Sequence, residues 1–322
     1  MPAALALDVG GTKLAVGVVD ARGRVLGRSR MPTPAGDDPE PLYQALLACA
    51  AAAMRDAGAV AGGLAGVGVG CGGPMRWPDG AVSPLNIPAW RDFPLRRRLA
   101  RDLGTGAVLV HDDAVAIAAG EHWRGAGTGA ANLLGLTVST GVGGGLVLDG
   151  RLYHGTSGNG GHIGHTVVEP DGPPCACGGR GCLEAVASGP RTVARALADG
   201  WRPGGDGARG AAADGVALAA AAAGGDPVAG AAVARAARAV GLAVASCANL
   251  LDLEVVAIGG GFSRSGRAFW DPLRDAVVTH ARLPFAAACR VVPARLGADA
   301  GLLGAAAFIL RPDRYGWAAP RD

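Results

Sequence analysis

The stretch ALALDVGGTKLAVGVV, residues 4–19, does most to decide the fold. It consists of two apolar runs, Ala4–Leu7 and Leu14–Val19, separated by the glycine-rich segment Asp8–Lys13. Apolar runs of this length that are joined through glycines predict a β-hairpin. A related arrangement follows at 132–148, where an apolar run again meets a turn of glycine and hydroxyl residues. The chain is therefore expected to be mixed α/β, with a strand–turn–strand unit in each half.

The other predicted elements continue this mixture of strands and helices. A boundary between two α/β parts is expected near 115–130. Residues 203–215 are mostly Gly, Ala and Asp, and they predict a flexible surface loop. The predicted helices are 39–57, 114–122 and 300–309, with alanine-rich helical segments at 45–53 and 216–248, and the further predicted strands are 24–27, 67–70, 107–110, 132–138, 146–148 and 253–258.

Composition argues against several classes of protein. The net charge is only +3 and the arginines are scattered, so a nucleic-acid-binding surface is not predicted. The N-terminus lacks a basic segment before its first apolar run, and the long apolar runs are interrupted by charges or glycines. Neither a signal peptide nor a membrane span is therefore predicted. The odd total of seven cysteines fits a reducing cytoplasm better than a disulfide framework.

Three glycine turns follow predicted strands and are candidate phosphate or nucleotide sites, although each could also be a plain hairpin turn. In the first turn, Gly10 and Gly11 let backbone N–H groups approach phosphate oxygens, Thr12 adds a hydroxyl, and Lys13 adds a positive charge. A P-loop is excluded because Thr12, not glycine, precedes Lys13, and the dinucleotide-binding fingerprint is excluded because an apolar β-like run, not a helix, follows the turn. The second turn contains Thr140, Gly141, Gly143, Gly144 and Gly145, and the third contains Gly259, Gly260 and Gly261.

Four soft metal ligands lie within residues 165–182, and glycines flank them. Zn²⁺ prefers thiolates and imidazole in a tetrahedral shell, and a closed shell of three cysteines and one histidine is structural rather than catalytic. The zinc is therefore expected to fold the loop that contains its ligands. His162 and Glu184 lie beside them and are candidates for the site that the loop serves. The predicted ligands are His165, Cys175, Cys177 and Cys182.

Two adjacent acids, Asp112 and Asp113, end a predicted strand and begin a predicted helix. The structural interpretation is a helix N-cap, which contributes about 1 kcal/mol. The functional interpretation is a carboxylate base at the carboxyl end of a strand, and the two interpretations are compatible. Because a helix N-terminus favours negative charge, Asp113 is expected to be ionised at neutral pH.

Taken together, these motifs resemble those of the ROK sugar kinases, in the family's order and over nearly the whole chain. The resemblance implies an actin-like (RNase H-like) fold of two α/β lobes around a cleft that binds ATP, Mg²⁺ and a sugar, with a structural zinc loop. It implies lobes at 1–119 and 120–298, and a C-terminal helix at 299–312 that packs back on the first lobe. The matching motifs are Asp8–Lys13, Asp112-Asp113-Ala114 with Glu121, Ser139–Gly145, Gly161–His165 with the three cysteines and Glu184, and Asp299–Gly304.

The resemblance also implies roles for individual residues. Asp113 is expected to be the general base for a sugar 6-hydroxyl, and Asp8 is expected to hold Mg²⁺ through water. His165 is expected to bind zinc with one ring nitrogen and the sugar with the other, while Glu184 accepts hydrogen bonds from sugar hydroxyls. The other expected sugar contacts are Gly72, Gly73, Asn86, Asp112 and His162. The expected nucleotide contacts are Asp8, Gly10, Gly11, Thr12, Lys13, Thr140, Gly141, Gly143, Gly144, Gly145, Gly260 and Gly261.

Two departures from the family pattern leave the sugar open. Asp112 stands where the family usually has Asn; an ionised Asp only accepts hydrogen bonds, and two adjacent acids that face a cleft raise one pKa. His162 stands where many members have Glu, and an imidazole donor suits an acetamido group. The segment around His162 resembles N-acetylmannosamine kinases, whereas Asn86-Ile87-Pro88 resembles glucokinases. N-acetylmannosamine is therefore the first candidate substrate and glucose the second.

Two other functions are considered. The ROK transcriptional repressors have an N-terminal helix-turn-helix domain, and a phosphate strand that starts at residue 3 or 4 leaves no room for one. A non-catalytic sugar-sensing protein would bind a sugar without forming a sugar phosphate. The kinase interpretation is preferred, with small-molecule partners only, a cytoplasmic location, and a homodimer or homotetramer, as is common in the family.

Overall fold

The computed structural model describes residues 1–204 and 212–316. The predicted loop at 203–215 lies mostly outside these residues, but Gly215 begins a helix that is capped by Asp214. The strands are β1 (Ala3–Val9), β2 (Lys13–Asp20), β3 (Val25–Pro32), β4 (Leu64–Cys71), β5 (Met75–Arg76), β6 (Ala81–Val82), β7 (Val108–His111), β8 (Leu133–Val138), β9 (Val142–Leu148), β10 (Arg151–Tyr153), β11 (Val255–Gly259) and β12 (Arg290–Pro293). The α-helices are α1 (Pro39–Ala57), α2 (Leu95–Asp102), α3 (Asp113–Arg124), α4 (Leu183–Ala187), α5 (Gly189–Ala198), α6 (Gly215–Ala223), α7 (Pro227–Leu251), α8 (Arg267–His280), α9 (Pro284–Ala287), α10 (Ala300–Leu310) and α11 (Pro312–Tyr315).

The chain divides into two compact units, neither of which is one continuous stretch. In this respect they differ from the predicted lobes 1–119 and 120–298, because the chain leaves unit 1 and returns to it twice. Helix α10 belongs to unit 1. Unit 1 comprises Met1–Ala131, Gly145–Gly161 and Arg295–Asp322, and unit 2 comprises Asn132–Gly144 and His162–Ala294.

The sheet of unit 1 has the strand order β3-β2-β1-β4-β7. β1 and β2 form the predicted hairpin, with Val9 opposite Leu14 across the glycine turn. β3 is longer than the predicted strand 24–27 because it stays paired with β2 as far as Pro32. β1, β4 and β7 are parallel, so their carboxyl ends lie at the same edge of the sheet.

The second sheet has the strand order β10-β9-β8-β11-β12. β8, β11 and β12 are parallel, and β10 pairs antiparallel with β9. β9 begins at Val142 rather than at the predicted Leu146, so its glycines are part of a strand. The turn between β8 and β9 is accordingly limited to Ser139–Gly141.

Helix α7 is the long core helix of unit 2, where it packs against α4, α5, α6 and α8. The predicted helical region 216–248 is in fact two helices, since Gly224 ends α6 and the Asp226 side chain accepts hydrogen bonds from the first turn of α7. Among the described residues, α7 alone is long and apolar enough to cross a membrane. However, 61% of its apolar window is buried inside the protein, as expected for a core helix.

Helix α10 packs against α3 and β4 in unit 1 at positions where the backbones touch without an intervening side chain. A Cβ atom at Gly304 would lie 1.6 Å from the carbonyl oxygen of Ala116, and one at Gly68 would lie 1.8 Å from that of Ala305. A Cβ at Gly120, on α3, would lie 2.4 Å from a backbone oxygen of α10. Any larger residue at these three positions would push the helix away from its neighbours.

The fully buried side chain of Glu121 connects the end of α3 to the segment that leads into α10. Its Oε1 accepts hydrogen bonds from the N–H groups of Arg295 and Leu296 at 2.9 and 2.8 Å, and its Oε2 accepts one from Ala126 at 2.8 Å. Hydrogen bonds to an ionised carboxylate are about twice as strong as neutral ones. Glu121, which shares a sequence motif with the acid pair, therefore joins three backbone segments of unit 1.

The close approach of α10 to α3 predicts that Gly304→Ala strongly destabilises the protein. The added methyl group has no room beside the Ala116 carbonyl, and overpacking of this kind costs about 1–3 kcal/mol or more. The free energy of unfolding, measured by urea titration, is expected to fall by at least this amount.

Gly230→Ala is a matched control in α7, because a Cβ at Gly230 meets nothing within 4 Å. Replacement of a helical Gly by Ala stabilises by roughly 0.5–1 kcal/mol, so this variant should be unchanged or more stable. Equal stability of the two variants would contradict the packing described for α10.

Candidate active site

Three acidic residues lie at one edge of the unit 1 sheet. Asp8 in β1 is level with Gly70 in β4, and Gly70 is level with His111 at the end of β7. Asp112 and Asp113 follow His111 directly. In open α/β sheets, ligands bind at the carboxyl ends of the strands, and these acids are at that edge.

The first glycine turn is fixed by its own hydrogen bond and by Thr33, the residue that follows β3. The Gly10 N–H donates to the Lys13 carbonyl at 3.0 Å and closes the turn. Thr33 then binds the turn twice, since its hydroxyl donates to the Gly10 carbonyl at 2.6 Å and its N–H donates to the Thr12 carbonyl at 3.2 Å. The Thr12 side chain is exposed and free to meet a ligand. Thr33 could not be predicted as part of this turn, because it lies far along the chain from it and belongs to no motif.

Asn86 lies between two of the predicted ligand-binding segments. A Cβ at Gly11 would lie 2.8 Å from the Asn86 carbonyl oxygen, and one at Gly72 would lie 3.2 Å from its side-chain Oδ1. The structure therefore brings the first glycine turn, the predicted sugar-side turn at Gly72-Gly73 and Asn86 together. These contacts also explain why Gly11 has no side chain.

Asp112 is the N-cap of α3, as its structural interpretation predicted. Its Oδ1 accepts a hydrogen bond from the Ala114 N–H at 3.0 Å, and its backbone carbonyl accepts one from the Ala116 N–H at 3.0 Å. Asp113 is then the first residue of the helix and is partly buried.

Burial, followed by the neighbouring charges of Asp112 and Asp8, raises the pKa of Asp113 to about 8. The expectation that Asp113 is ionised at neutral pH is therefore wrong, because desolvation and two like charges outweigh the effect of the helix N-terminus. The expectation that adjacent acids raise one pKa is confirmed.

Asp8 has a tightly packed carboxylate. Burial raises its pKa, and the charges of Lys13 and Arg30 partly offset this effect. A Cβ at Gly301, in the first turn of α10, would lie 2.9–3.2 Å from the Asp8 carboxylate atoms. Gly301 therefore leaves the space that this carboxylate occupies, a function that the sequence motif did not reveal.

The second glycine turn, in unit 2, is held by Glu184 and by the start of α5. The Ser139 N–H donates to the Gly141 carbonyl at 2.8 Å, and the Gly189 N–H donates to the Ser139 carbonyl at 2.7 Å. Glu184 Oε2 accepts a hydrogen bond from the Val142 N–H at 3.0 Å. Glu184 is thus placed beside the turn, in addition to its predicted contact with a sugar.

The five residues predicted for the second turn have different environments. Thr140 is exposed, and Gly141 and Gly143 are partly buried. Gly144 and Gly145 lie within β9 and are buried. In unit 1, a Cβ at Gly145 would lie 2.7 Å from the Cα of Val115, so close packing on α3 already accounts for that glycine.

A cavity of about 1480 Å³ opens beside the second and third glycine turns of unit 2. This volume exceeds the roughly 300–1,000 Å³ typical of ligand pockets. Gly260 has a φ of +92° and brings the third turn against the Val138 carbonyl, while a Cβ at Gly261 would meet nothing within 4 Å. The lining is largely apolar and includes Thr140, Val193, Val216, Ala219, Gly261 and Phe262.

The four predicted zinc ligands come together in unit 2. Their ligand atoms all lie within 4.8 Å of one another, with Cys175 Sγ 3.7 Å from His165 Nδ1 and Cys177 Sγ 3.7 Å from Cys182 Sγ. Ligands about 2.3 Å from a tetrahedral zinc are separated by about 3.8 Å, so the cluster has suitable dimensions. Because Nδ1 faces the thiols, Nε2 of His165 is left for another partner.

The loop that carries these ligands is anchored to the core of unit 2. Its turn is closed by the Cys175 N–H, which donates to the Gly179 carbonyl at 2.9 Å. Glu169 forms a two-point ion pair with Arg235 of α7, with N···O distances of 3.0 and 2.5 Å. His162 immediately precedes the 3₁₀ turn Ile163–His165, with its ring centre 6.2 Å from that of His165.

Comparison with known proteins identifies the family. The ROK family model matches residues 4–311. A glucokinase of Thermotoga maritima is 36% identical over 316 residues, which cover 95% of this chain and 96% of that protein. An N-acetylmannosamine kinase of Escherichia fergusonii is 36% identical over 305 residues, which cover 94% of this chain and 96% of that protein.

A solved structure gives the same result for the fold. A ROK family glucokinase from Streptomyces griseus, in complex with glucose and AMPPNP, superposes with a TM-score of 0.82 at 34% identity. The match covers 96% of this chain and 99% of that one, and confirms an α/β fold with mixed sheets of the actin-like ATPase type. The chain therefore belongs to the ROK family, and it is one of that family's ATP-dependent sugar kinases.

Proposed function

We propose that this kinase transfers the γ-phosphoryl group of ATP to the 6-hydroxyl of a hexose or N-acetylhexosamine, with Asp113 as the general base. The observation that carries this proposal is the position of Asp8 and Asp113 at one strand edge, beside the Gly10–Lys13 turn and Asn86. A base beside a phosphate-binding turn is the minimum that transfer to an alcohol requires. Positioning and charge stabilisation provide most of the catalysis in such reactions.

Asp8 and the first turn are suited to the metal and phosphates. The Asp8 carboxylate is partly buried beside Lys13, and it would hold Mg²⁺ through water, while Gly10–Lys13 would bind phosphate oxygens. When bound, Mg²⁺ supplies positive charge that stabilises the phosphate oxygens. Asp113 acts on the sugar, since its carboxylate orients the hydroxyl and accepts its proton.

The cavity of unit 2 is suited to the nucleoside. Its apolar lining can cover a purine and ribose, and Thr140, Gly141 and Gly261 lie at two of the glycine turns that were predicted to bind nucleotide. Backbone N–H groups at glycine turns bind phosphate oxygens, and Gly260 allows the β11 turn to approach closely. Gly143 lies in β9, next to the second glycine turn. We assign Gly144 and Gly145 the weakest part in nucleotide binding, because they are buried.

We propose N-acetylmannosamine as the first candidate sugar and glucose as the second. His165 would contact the sugar through Nε2, with Glu184 and His162 beside it. An imidazole at position 162 can donate to an acetamido carbonyl, which supports the amino sugar. Asn86 beside the phosphate turn supports glucose, through the likeness of its loop to glucokinases. Relatives of both kinds are 36% identical to this chain, so identity does not favour either sugar.

A coupled assay of ADP release tests both the reaction and the sugar. Glucose, mannose, N-acetylglucosamine and N-acetylmannosamine are compared at equal concentrations, and the phosphorylated carbon is assigned by NMR. We expect N-acetylmannosamine to give the highest kcat/KM and a 6-phosphate product. Asp113→Asn preserves the shape of the site, and it should lower kcat by about 10²–10⁴-fold. A loss of less than about tenfold would refute the role of Asp113 as base.

The raised pKa of Asp113 predicts a pH-dependent rate that Asp112→Asn should shift. A base works only when deprotonated, so the rate of the native enzyme should rise with pH toward the pKa of about 8. Asparagine retains the N-cap but removes one like charge, which lowers the pKa of Asp113. The acid limb of kcat/KM should therefore move to lower pH by about one unit.

The control for this measurement is Asp37→Asn, which makes the same change in net charge at an exposed position. It should leave the pH profile unchanged. Coincident acid limbs for the native enzyme and Asp112→Asn would mean that Asp112 does not influence the base.

We propose that His165, Cys175, Cys177 and Cys182 hold a structural Zn²⁺. Their spacing and soft donor atoms suit the metal, which would fix the loop and the orientation of the His165 ring. In Cys177→Ser, zinc measured by mass spectrometry should fall from about one atom per chain to less than about a tenth, and the Tm should fall.

Cys247→Ser is the matched control, because it removes a thiol from α7 outside the cluster. This variant should retain its zinc whatever its stability. A Cys177→Ser protein that is free of metal yet fully stable and fully active would overturn the structural role of zinc.

A further inference from the structure

Four ring side chains form a cluster behind the Asp112-Asp113 turn in unit 1. The His111 and His154 rings are stacked with centroids 5.2 Å apart, and Trp77 lies 5.0 Å from His154 and 5.3 Å from His111. Phe308 of α10 contacts His111 from another side at 5.8 Å. His111 is almost completely buried, at 3% exposure. Packing alone would be served by phenylalanine, so a buried imidazole at His111 and a half-buried one at His154 require another reason.

The two histidines form a continuous chain of hydrogen bonds. The Asp112 backbone N–H donates to Nδ1 of His111 at 2.9 Å, and Nε2 of His111 lies 3.0 Å from Nδ1 of His154. Nε2 of His154 lies 3.3 Å from the carbonyl oxygen of Gly316, which ends α11. The chain therefore runs from the acid turn to the C-terminal segment.

The groups at the two ends of this hydrogen-bonded chain determine which ring nitrogen carries the proton in each histidine. An amide N–H can only donate, so Nδ1 of His111 must accept and its proton must be on Nε2. That proton is donated to Nδ1 of His154, whose own proton is then on Nε2 and is donated to the Gly316 carbonyl. Burial lowers the pKa of His154, which agrees with a neutral ring. Only one combination of tautomers, with the proton on Nε2 of both rings, allows all three hydrogen bonds to form.

We propose that His111 and His154 are positioning residues that hold the Asp112-Asp113 turn in its catalytic geometry through this relay. The inference rests on the proposed role of Asp113 as the base. Asp112 is held on both sides, since its N–H is bound by His111 and its carboxylate caps α3. Asp113 is the next residue, and displacement of a catalytic group by about 1 Å can lower a rate by about 10²-fold.

The relay also connects the base to segments that are distant in sequence. Trp77 lies just beyond the predicted sugar-side turn, and a Cβ at Gly158 would lie 2.4 Å from the Trp77 ring, so the 154–161 loop fits closely around it. Asn159 makes two hydrogen bonds with the backbone of Met75, at 3.3 and 3.2 Å. His154 therefore lies in a loop that is firmly attached to the sugar-side segment.

Two substitutions at His111 separate hydrogen bonding from packing. His111→Phe keeps the ring and loses both nitrogens, whereas His111→Asn loses the ring but places an amide oxygen where Nδ1 accepts the Asp112 N–H. If the relay positions the base, His111→Phe should lower kcat by about 10- to 100-fold with KM changed by less than about twofold, and His111→Asn should retain more activity than His111→Phe. If His111 serves packing only, His111→Phe should retain more activity than His111→Asn, and this result would overturn the proposal.

A measurement on the native protein does not depend on whether the variants fold. Long-range ¹H–¹⁵N NMR spectra of histidine-labelled enzyme distinguish the two neutral tautomers. We expect His111 and His154 both to carry the proton on Nε2 at pH 7.5. A proton on Nδ1 of either ring would overturn the relay.

Asp113→Asn separates failure of this inference from failure of the proposed function. If Asp113→Asn retains activity within about tenfold of the native enzyme, the base assignment fails and the relay fails with it. If Asp113→Asn is inactive while His111→Phe retains full kcat, the relay alone is refuted.

Discussion

The arrangement of unit 1 depends on direct backbone contact between α10 and its two neighbours, α3 and β4. Gly68, Gly120 and Gly304 permit this contact, because each lies where a Cβ would collide with a carbonyl oxygen. The position of α10 also affects the sheet edge that carries Asp8, because Gly301 in the first turn of α10 leaves room for the Asp8 carboxylate. The Glu121 carboxylate then binds the segment before α10 to the end of α3 through hydrogen bonds from three backbone N–H groups. The position of Asp8 relative to Asp113 is thus a result of helix packing.

This packing brings negative charges together in partly buried surroundings, where Asp112 and Asp8 raise the pKa of Asp113. Asp113 is affected by burial first and then by Asp112 and Asp8, so its pKa moves to about 8. A base with a pKa near the working pH is efficient, because it is deprotonated often enough and still binds a proton well. An asparagine at position 112 would remove one of these charges. Asp112 therefore caps α3 and at the same time raises the pKa of Asp113, the proposed base.

Features set by neighbouring residues could be predicted from the sequence, whereas features set by contacts between residues far apart in the sequence could not. The hairpin at Asp8–Lys13, helix α1 at Pro39–Ala57 and the Cys and His cluster followed from patterns of neighbouring residues, and the structure contains all of them. The start of β9 and the break between α6 and α7 were missed, because glycine and alanine satisfy several patterns equally well. The ionisation of Asp113 was predicted wrongly because the side chain becomes buried, and comes close to the charge of Asp8, only when the chain folds. Thr33, Gly301 and His154 were missed for a related reason, since each acts on a residue far away in the sequence.

In unit 2 the proposed zinc ligands and the second glycine turn belong to one connected set of contacts. His165 ends a 3₁₀ turn in which a Cβ at Gly164 would lie 1.9 Å from the carbonyl oxygen of Val142, so this turn lies directly on the start of β9. Cys182 is the N-cap residue of α4, and α4 presents Glu184 to the N–H of the same Val142. Residues beside two of the four ligand positions therefore contact Val142, with Glu184 at its N–H and Gly164 at its carbonyl side. A zinc that fixes His165 and Cys182 would fix the turn before β9 as well, so a metal with no part in the chemistry would support both the proposed sugar contacts and the proposed nucleotide turn.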